Sequence, residues 1–486
     1  MVENSAISNG TSSPAKKNTG LGYWADQVLE HHHRFSDRFD ADGVHDLRVA
    51  LRRCRALAEG FRLIDPDPGW KKFRKQAKEL FSRLGGLRDV QVMTEWVGRL
   101  AIPDKEASEC LLALFAGQER EFKAAAQTAL AAFDQKQWKM LADKLEDRAA
   151  AVAVESCVFE HLAVERWQAA YSLHRRALKN RTQVAFHDLR IGLKRLRYTV
   201  EAFLPHRHER WAKDLRDMQD LLGEVHDLDV LWSILKSRPE IQNEDLGQWH
   251  RRITAERQQR LAVYRQRMIG RESPWQVWRA ELPKDDQLDR AALERMRTWA
   301  SFLDPDTGHS ELVASLALQI YDGLARDGIL PSAERSRRVL EAAAVLHDVG
   351  RAKAKRGHHK KSCRLITKLA APLGWTPEEL RAVAAVARYH RGALPRPDHK
   401  CMIPIPNFKR PSIVRLAGVV RLAHAFDLHH EGQVRRVQVG EEQGALVLRC
   451  HGYSETGPLA EPVAAARHLL EVSCRMPVLI RSSLAS

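Results

Sequence analysis

A chain of 486 residues, 44% hydrophobic and 29% charged, is long enough for two or three domains and too apolar for extended disorder or a fibrous protein. Lys and Arg number 78 against 62 Asp and Glu, and the net charge of +16 points to a polyanionic partner: nucleic acid, an acidic lipid surface or an inorganic phosphate chain. No apolar run approaches the roughly 18 residues of a membrane span, and the seven scattered cysteines, with no CxxC pair, fit a reducing cytoplasm.

Residues 1–20 read as a polar disordered tail without the apolar run of a secretory signal. From Leu21 to about Gly270 the apolar spacing is that of amphipathic helices. Breaks are expected at Asp65-Pro66-Asp67-Pro68-Gly69, Gly85-Gly86, Pro205 and Arg238-Pro239. The run Glu30-His31-His32-His33-Arg34 reads as surface, because consecutive residues point in different directions on a helix. Residues 271–289, with two prolines, read as a linker. Helices resume over 290–432. Beyond them, Val437-Gln438-Val439 and Ala445-Leu446-Val447-Leu448 read as two short strands, followed by a helix over Glu461–Cys474, a small α+β end over 433–486.

An internal repeat organises the first half. Val44-His45-Asp46-Leu47-Arg48 to Arg55 recurs as Phe186-His187-Asp188-Leu189-Arg190 to Arg197, 142 residues on. Leu84-Gly85-Gly86-Leu87-Arg88-Asp89 recurs as Leu222-Gly223-Glu224-Val225-His226-Asp227, 138 residues on. Two similar helical bundles are the simplest explanation. On a helix His45, Arg48, Arg52 and Arg55 form one stripe, and His187, Arg190, Lys194 and Arg197 form its counterpart. Each row spans about 15 Å. Like charges at i, i+4 repel, so the arrangement makes sense when a polyanion offsets it. Leu47, Leu51 and Cys54, with Leu189, Leu193 and Leu196, supply the apolar stripe beside it. Lys71 to Arg88 holds seven Lys/Arg and one acid, Glu79, extending the positive surface. Asp46 and Asp188 read as N-terminal helix charges or arginine partners.

These paired motifs resemble the CHAD family over residues 21–270. The resemblance implies two pseudo-symmetric helical bundles whose basic inner surface binds inorganic polyphosphate. Carried over by position, the contacts are His45, Arg48, Arg52, Arg55, His187, Arg190, Lys194 and Arg197, with Arg53, Arg195, Arg74, Lys75 and Lys78 as weaker candidates.

In the second half, Val345-Leu346-His347-Asp348-Val349-Gly350 closes an Ala-rich helix. His309 precedes it, and His358-His359, His390 and Asp427 follow at helix ends or in a basic loop. Histidine nitrogens with carboxylate oxygens suit magnesium, manganese or another divalent transition metal. The series resembles the HD-type metal-dependent phosphohydrolases and, more closely, the C-terminal region of exopolyphosphatase/guanosine pentaphosphatase proteins, over residues 290–486. That resemblance implies His309, His347, Asp348 and Asp427 as ligands of one metal, with His359 (or His358) and His390 as second-site ligands. His424 reads as a surface histidine. His347 and Asp348, with Lys353 as a phosphate-neutralising cation, are the catalytic candidates. The glycine-rich phosphate loops that such exopolyphosphatases carry N-terminally have no counterpart here.

The expected molecule is therefore mainly α: two CHAD-like bundles, then an α-helical HD domain with a small α+β end. It is expected to be cytoplasmic, associated with polyphosphate granules, to bind polyphosphate and to hydrolyse polyphosphate or a nucleotide phosphate with a divalent metal. The alternative is a non-catalytic granule-targeting protein with a ligand-sensing HD domain. Nucleic acid ranks lower as a partner, since aromatic residues do not interleave the basic stripes.

Overall fold

The computed structural model describes residues 20–37, 41–100, 105–354 and 356–483. Apart from Gly20, the polar tail expected over 1–20 lies outside them. Mainly helical architecture with a small three-stranded sheet at the end agrees with the expected fold class.

Two compact units form: one from the described residues up to Leu63 with Asp67–Glu155 and Arg166–Glu281, the other from Ile64–Pro66, Ser156–Glu165 and the described residues from Leu282 on. The helices in order are α1 (Leu21–Asp37), α2 (Ala41–Phe61), α3 (Gly69–Arg83), α4 (Gly85–Leu100), α5 (Lys105–Ala131), α6 (Gln135–Ala150), α7 (Cys157–Asn180), α8 (Gln183–Phe203), α9 (Pro205–Lys236), α10 (Asn243–Met268) and α11 (Pro274–Ala280). There follow α12 (Asp285–Ser301), α13 (Thr307–Arg326), α14 (Glu334–Leu346), α15 (His358–Lys368), α16 (Pro377–Arg388) and α17 (Arg410–Ala425). Then come β1 (Arg436–Glu442), β2 (Ala445–His451), α18 (Ala460–Cys474) and β3 (Val478–Ser483).

Boundaries follow local chemistry. Thr182 Oγ1 accepts the Ala185 N–H at 3.2 Å to open α8, and Pro205 supplies the fixed φ at the start of α9. The prolines of the expected linker mark helix starts: Pro274 opens α11, whose Trp275 and Trp278 are wholly buried, and Pro283 precedes α12. His32 departs from the surface reading. It is buried, with Nε2 2.9 Å from Leu130 O, because only one of three consecutive histidines can face inward on a helix.

In the first unit, Leu47, Leu51, Cys54, Leu189, Leu193 and Leu196 have no exposed surface, so the apolar stripes of α2 and α8 face the interior. The two repeat helices pack on each other. Gly60 allows this contact, since a Cβ there would lie 2.3 Å from the Phe203 ring. Arg53 and Glu201 join the same helices at 2.5 Å.

In the second unit, α14, α16 and α17 carry buried alanine runs, Ala342–Ala344, Ala384–Ala385 with Ala387, and Ala417 with Ala423. Small side chains let these helices approach closely and bring their ends together. Gly350 does the same for α15: a Cβ would lie 2.3 Å from His358 O, and its N–H donates to Ser362 Oγ at 2.9 Å. The sheet order is β1-β2-β3. Gln443 and Gly444, both at positive φ, turn the antiparallel β1–β2 hairpin. β3, absent from the sequence reading, runs parallel to β2, and α18 is the crossover a parallel pair requires.

Candidate functional site

The repeat places cationic side chains from both copies around one region of the first unit. α2 presents Arg48 and Arg52, α8 presents Arg190, Lys194 and Arg197, and α4 and α9 bring Asp89 and Asp227 beside them. Lys194 titrates at about 8: burial lowers it first, and Arg190, then Arg52 and Arg48, add to the effect over the opposing Asp227. Burial also lowers Arg48, aided by Arg52, Arg88 and Arg55 against Asp89. Asp227 is pushed up to about 6, burial outweighing Arg190 and Lys194. Such mutual depression of cations marks a concentration of like charge out of water.

The Nε atoms of Arg52, Arg190 and Arg197 are buried without a hydrogen-bond partner, as is that of Arg53, whose Nη2 pairs with Glu201. Beside them, Arg190 and Lys194 line a cleft of about 290 Å³ with Arg88, Arg99, Asp220 and Asp227. The two ends of the stripes differ. Arg55 lies over the Phe81 ring at 4.6 Å and Arg48 at 4.4 Å, whereas His45 is exposed. His187 stands with Nδ1 3.3 Å from Nδ1 of His226, a residue of the second repeated motif that the expected contacts leave out. His226 occupies the place of Arg88 in the other copy, and that correspondence was the available signal. Asp188 pairs with Arg176. Of the weaker candidates, Arg53 is bonded to Glu201 and Arg74 to Glu59, both at 2.5 Å, while Arg195, Lys75 and Lys78 are exposed.

In the second unit, helix ends converge on a buried histidine cluster. His347, at the end of α14, has Nδ1 2.6 Å from Ala344 O, and His390, after α16, has Nδ1 2.8 Å from Ala387 O. A carbonyl accepts only from N–H, so the Nε2 of each neutral ring carries a lone pair, and that of His390 lies 3.3 Å from His358 Nε2. These atoms face Asp348 Oδ1 at 3.8 Å (His347) and 3.6 Å (His390), and His358 Nε2 lies 3.2 Å from the same oxygen. His347 Nε2, His424 Nε2 and Asp348 Oδ1 are buried and take no well-aligned hydrogen bond. Buried nitrogen and carboxylate lone pairs left without a donor are what a cation would satisfy. His309, His347 and His424 form one group with one ligand atom each, mutually within 4.8 Å, and His347, Asp348 and His390 form a second.

Electrostatics fit this role. Burial lowers His390 and His424 well below the ordinary histidine range and takes His309 to about 4, keeping these rings neutral at pH 7. Burial raises Asp348, but His347 and the adjacent His358 outweigh it and hold the carboxyl below the usual range.

Four sequence expectations look different in space. Asp427 Oδ2 is 2.7 Å from His309 Nδ1, and its Oδ1 accepts the Gly432 N–H at 2.8 Å, so it orients a histidine. His424, read as a surface residue, is buried with its Nε2 unpartnered; it lies three residues before Asp427, on the same helical face. His358 reaches Asp348, whereas His359 sits against Gly392. Lys353 is exposed, and Arg351 instead bonds Asp348 Oδ2 at 3.0 Å. Arg351 also touches His430 Nε2 at 3.0 Å, and His430 is held by Asp306 at 2.7 Å.

Comparison with known proteins matches both halves to families. Residues 22–236 match the CHAD domain, and residues 295–458 match Ppx/GppA phosphatase, domain III. The eight stripe residues fall within the first match and the histidine cluster within the second. Among solved structures, the crystal structure of the CHAD domain from the plant Ricinus communis aligns at 23% identity, covering 54% of this chain and 88% of that one, with a TM-score of 0.37. No curated protein matches. Among the described residues, no helix is long and apolar enough to cross a membrane.

Proposed function

We propose that the protein binds inorganic polyphosphate through its first unit and hydrolyses a phosphoric ester or anhydride through a metal centre in its second. The observation that carries the binding half is the set of buried, unpartnered Nε donors on Arg52, Arg190 and Arg197 around Lys194. A chain of phosphates supplies acceptors at regular spacing and relieves the repulsion among these cations. The similarity to CHAD domains supports polyphosphate over other polyanions. Granule association follows as an extension of the same reading.

In the second unit, His309, His347, Asp348, His424, His358 and His390 are the residues that would hold a divalent ion. Many imidazoles with one carboxylate favour a transition ion over magnesium, which prefers oxygen. When bound, such an ion supplies Lewis acidity and a water of lowered pKa. The chain's own part is to keep the imidazoles neutral by burial, to orient His309 through Asp427, and to hold Asp348 through Arg351. Arg351, half-buried beside Asp348, is the cation placed to receive a phosphate oxygen.

Burial of the cluster favours a second reading: the candidate ligands are at most 5% exposed, as befits a closed structural centre in a granule-targeting protein. One experiment separates the two. Phosphate release is measured over polyphosphate, nucleotides and guanosine tetra- and pentaphosphate, with and without chelator. Chelator-sensitive release lost in His347→Ala and Asp348→Ala, with polyphosphate affinity intact, supports hydrolysis. No release from a metal-loaded protein that binds polyphosphate supports the second reading.

A further inference from the structure

One nitrogen of Arg351 is held at two points. Its Nη1 donates to Asp348 Oδ2 at 3.0 Å and lies 3.0 Å from His430 Nε2. A guanidinium carries only donors, so His430 accepts through Nε2 and keeps its proton on Nδ1, which donates to Asp306 Oδ2 at 2.7 Å. The other oxygen of Asp306 accepts the His309 N–H at 3.1 Å and caps α13. The contacts thus run from the Asp348 side chain, 1% exposed, through Arg351 and His430 to that of Asp306, 41% exposed.

His430 is fixed by more than Asp306. Its ring lies 3.9 Å from that of His309, centroid to centroid, and its N–H donates to Asp427 O at 3.0 Å in the turn after α17. Its φ of 62° lies in the left-handed region, which is unfavourable for a residue with a Cβ. Asp348 takes one hydrogen of Arg351 Nη1 and His430 the other. Two bonds at one end fix the plane of the guanidinium, where a single bond would let it turn. Nε and Nη2 of Arg351 take no hydrogen bond among the described residues. They form the paired-donor edge that grips two oxygens of one phosphate.

We propose that His430, braced by Asp306, is a positioning residue that turns the Nε–Nη2 edge of Arg351 toward a phosphoryl group at the metal centre. The inference rests on the reading of the second unit as a metal centre that receives phosphate, and it adds a residue outside the ligand set. Asp348 and His430 occupy one end of the guanidinium, leaving the other to the two oxygens. Without His430 the guanidinium keeps its bond to Asp348 but swings about it. Ordering the guanidinium then falls to the incoming phosphate, which binds more weakly for that reason.

The test loads the full chain with cobalt(II), whose visible absorption reports the ligands around the ion, and titrates it with inorganic phosphate. Phosphate bound far from the ion does not move that absorption. His430→Ala should leave the cobalt content and the phosphate-free spectrum unchanged and weaken phosphate about tenfold. Arg351→Ala should weaken it by about 10–100-fold. The double variant should be no weaker than Arg351→Ala alone, because His430 acts through Arg351. His430→Gln, whose side-chain oxygen accepts from Nη1, should recover most of the loss. The proposal is overturned by an unchanged phosphate titration in His430→Ala, by an altered phosphate-free spectrum there, or by a loss that adds in full to that of Arg351→Ala. A chain that takes up no cobalt, or whose spectrum ignores phosphate, instead overturns the underlying reading of the second unit and the proposal with it.

Discussion

The Asp427 carboxylate is spent on His309: Oδ2 lies 2.7 Å from His309 Nδ1 while Oδ1 accepts the Gly432 N–H. Three residues earlier, His424 leaves a buried Nε2 with no protein partner. A carboxylate that orients a ligating histidine typically contributes 10–100-fold to metal affinity. Asp427→Ala should therefore weaken metal binding by about 10–100-fold, whereas His424→Ala should remove a ligand and cost more. Metal titration of the apo protein, followed by bound-metal analysis, checks the order. The reverse order would make Asp427 the ligand and His424 a bystander.

Gly350 offers a test that touches no candidate ligand. Its missing side chain lets His358 O and Ser362 N approach to distances a Cβ cannot tolerate, and both contacts are backbone, which cannot swing aside. Gly350→Ala should push α15 outward and carry His358 away from Asp348. Overpacking of this kind costs roughly 1–3 kcal/mol. Thermal unfolding should show that loss together with weakened metal binding; a variant with unchanged metal affinity would show that His358 is not needed.

How far these features could be read beforehand depends on whether the signal is local. The faces of α2 and α8 follow from residue spacing alone, so the buried Leu47–Leu51–Cys54 stripe and its Leu189–Leu193–Leu196 partner were legible, as was the pairing of Arg48 with Arg190 by repeat position. The His347-Asp348 pair was legible for the same reason. His424 and Asp427 lie one helical turn apart on one face, so periodicity cannot say which enters the cluster. Adjacent His358 and His359 pose the opposite difficulty: they diverge by helix geometry, but the phase is set by the packing around Gly350. The parallel pairing of β3 with β2 arises from tertiary packing and leaves no local trace.

Lys194 sets a pH dependence for polyphosphate binding. Its folded, ligand-free value is about 8 because burial and neighbouring cations disfavour the ammonium. A bound phosphate favours that ammonium, so the complex has the higher value and holds more protons than the free protein. Affinity should thus be full below pH 8 and fall as the pH rises through 8 toward the bound-state value, with proton uptake on binding in that window. Calorimetry in buffers of different ionisation enthalpy measures the uptake. Lys194→Arg, permanently charged, should flatten the profile; a profile unchanged in that variant would remove Lys194 from the binding surface.

Neighbouring arginines should separate into two classes. Arg52, Arg53 and Arg190 all hold a buried Nε donor that lacks a partner, but Arg53, one residue from Arg52, is tied through Nη2 to Glu201 of the facing helix. Removing a phosphate-contacting cation lowers affinity and reduces the slope of log affinity against log salt by about 1. Arg52→Ala and Arg190→Ala should do this without a large change in melting temperature. Arg53→Ala instead strands a buried carboxylate and should destabilise the first unit on the order of 1–3 kcal/mol, leaving the salt slope nearly intact. Binding isotherms at several salt concentrations beside thermal melts distinguish the classes. If Arg53→Ala changed the slope and Arg52→Ala changed only the melt, the cationic surface would lie on the opposite side of α2 from the one proposed.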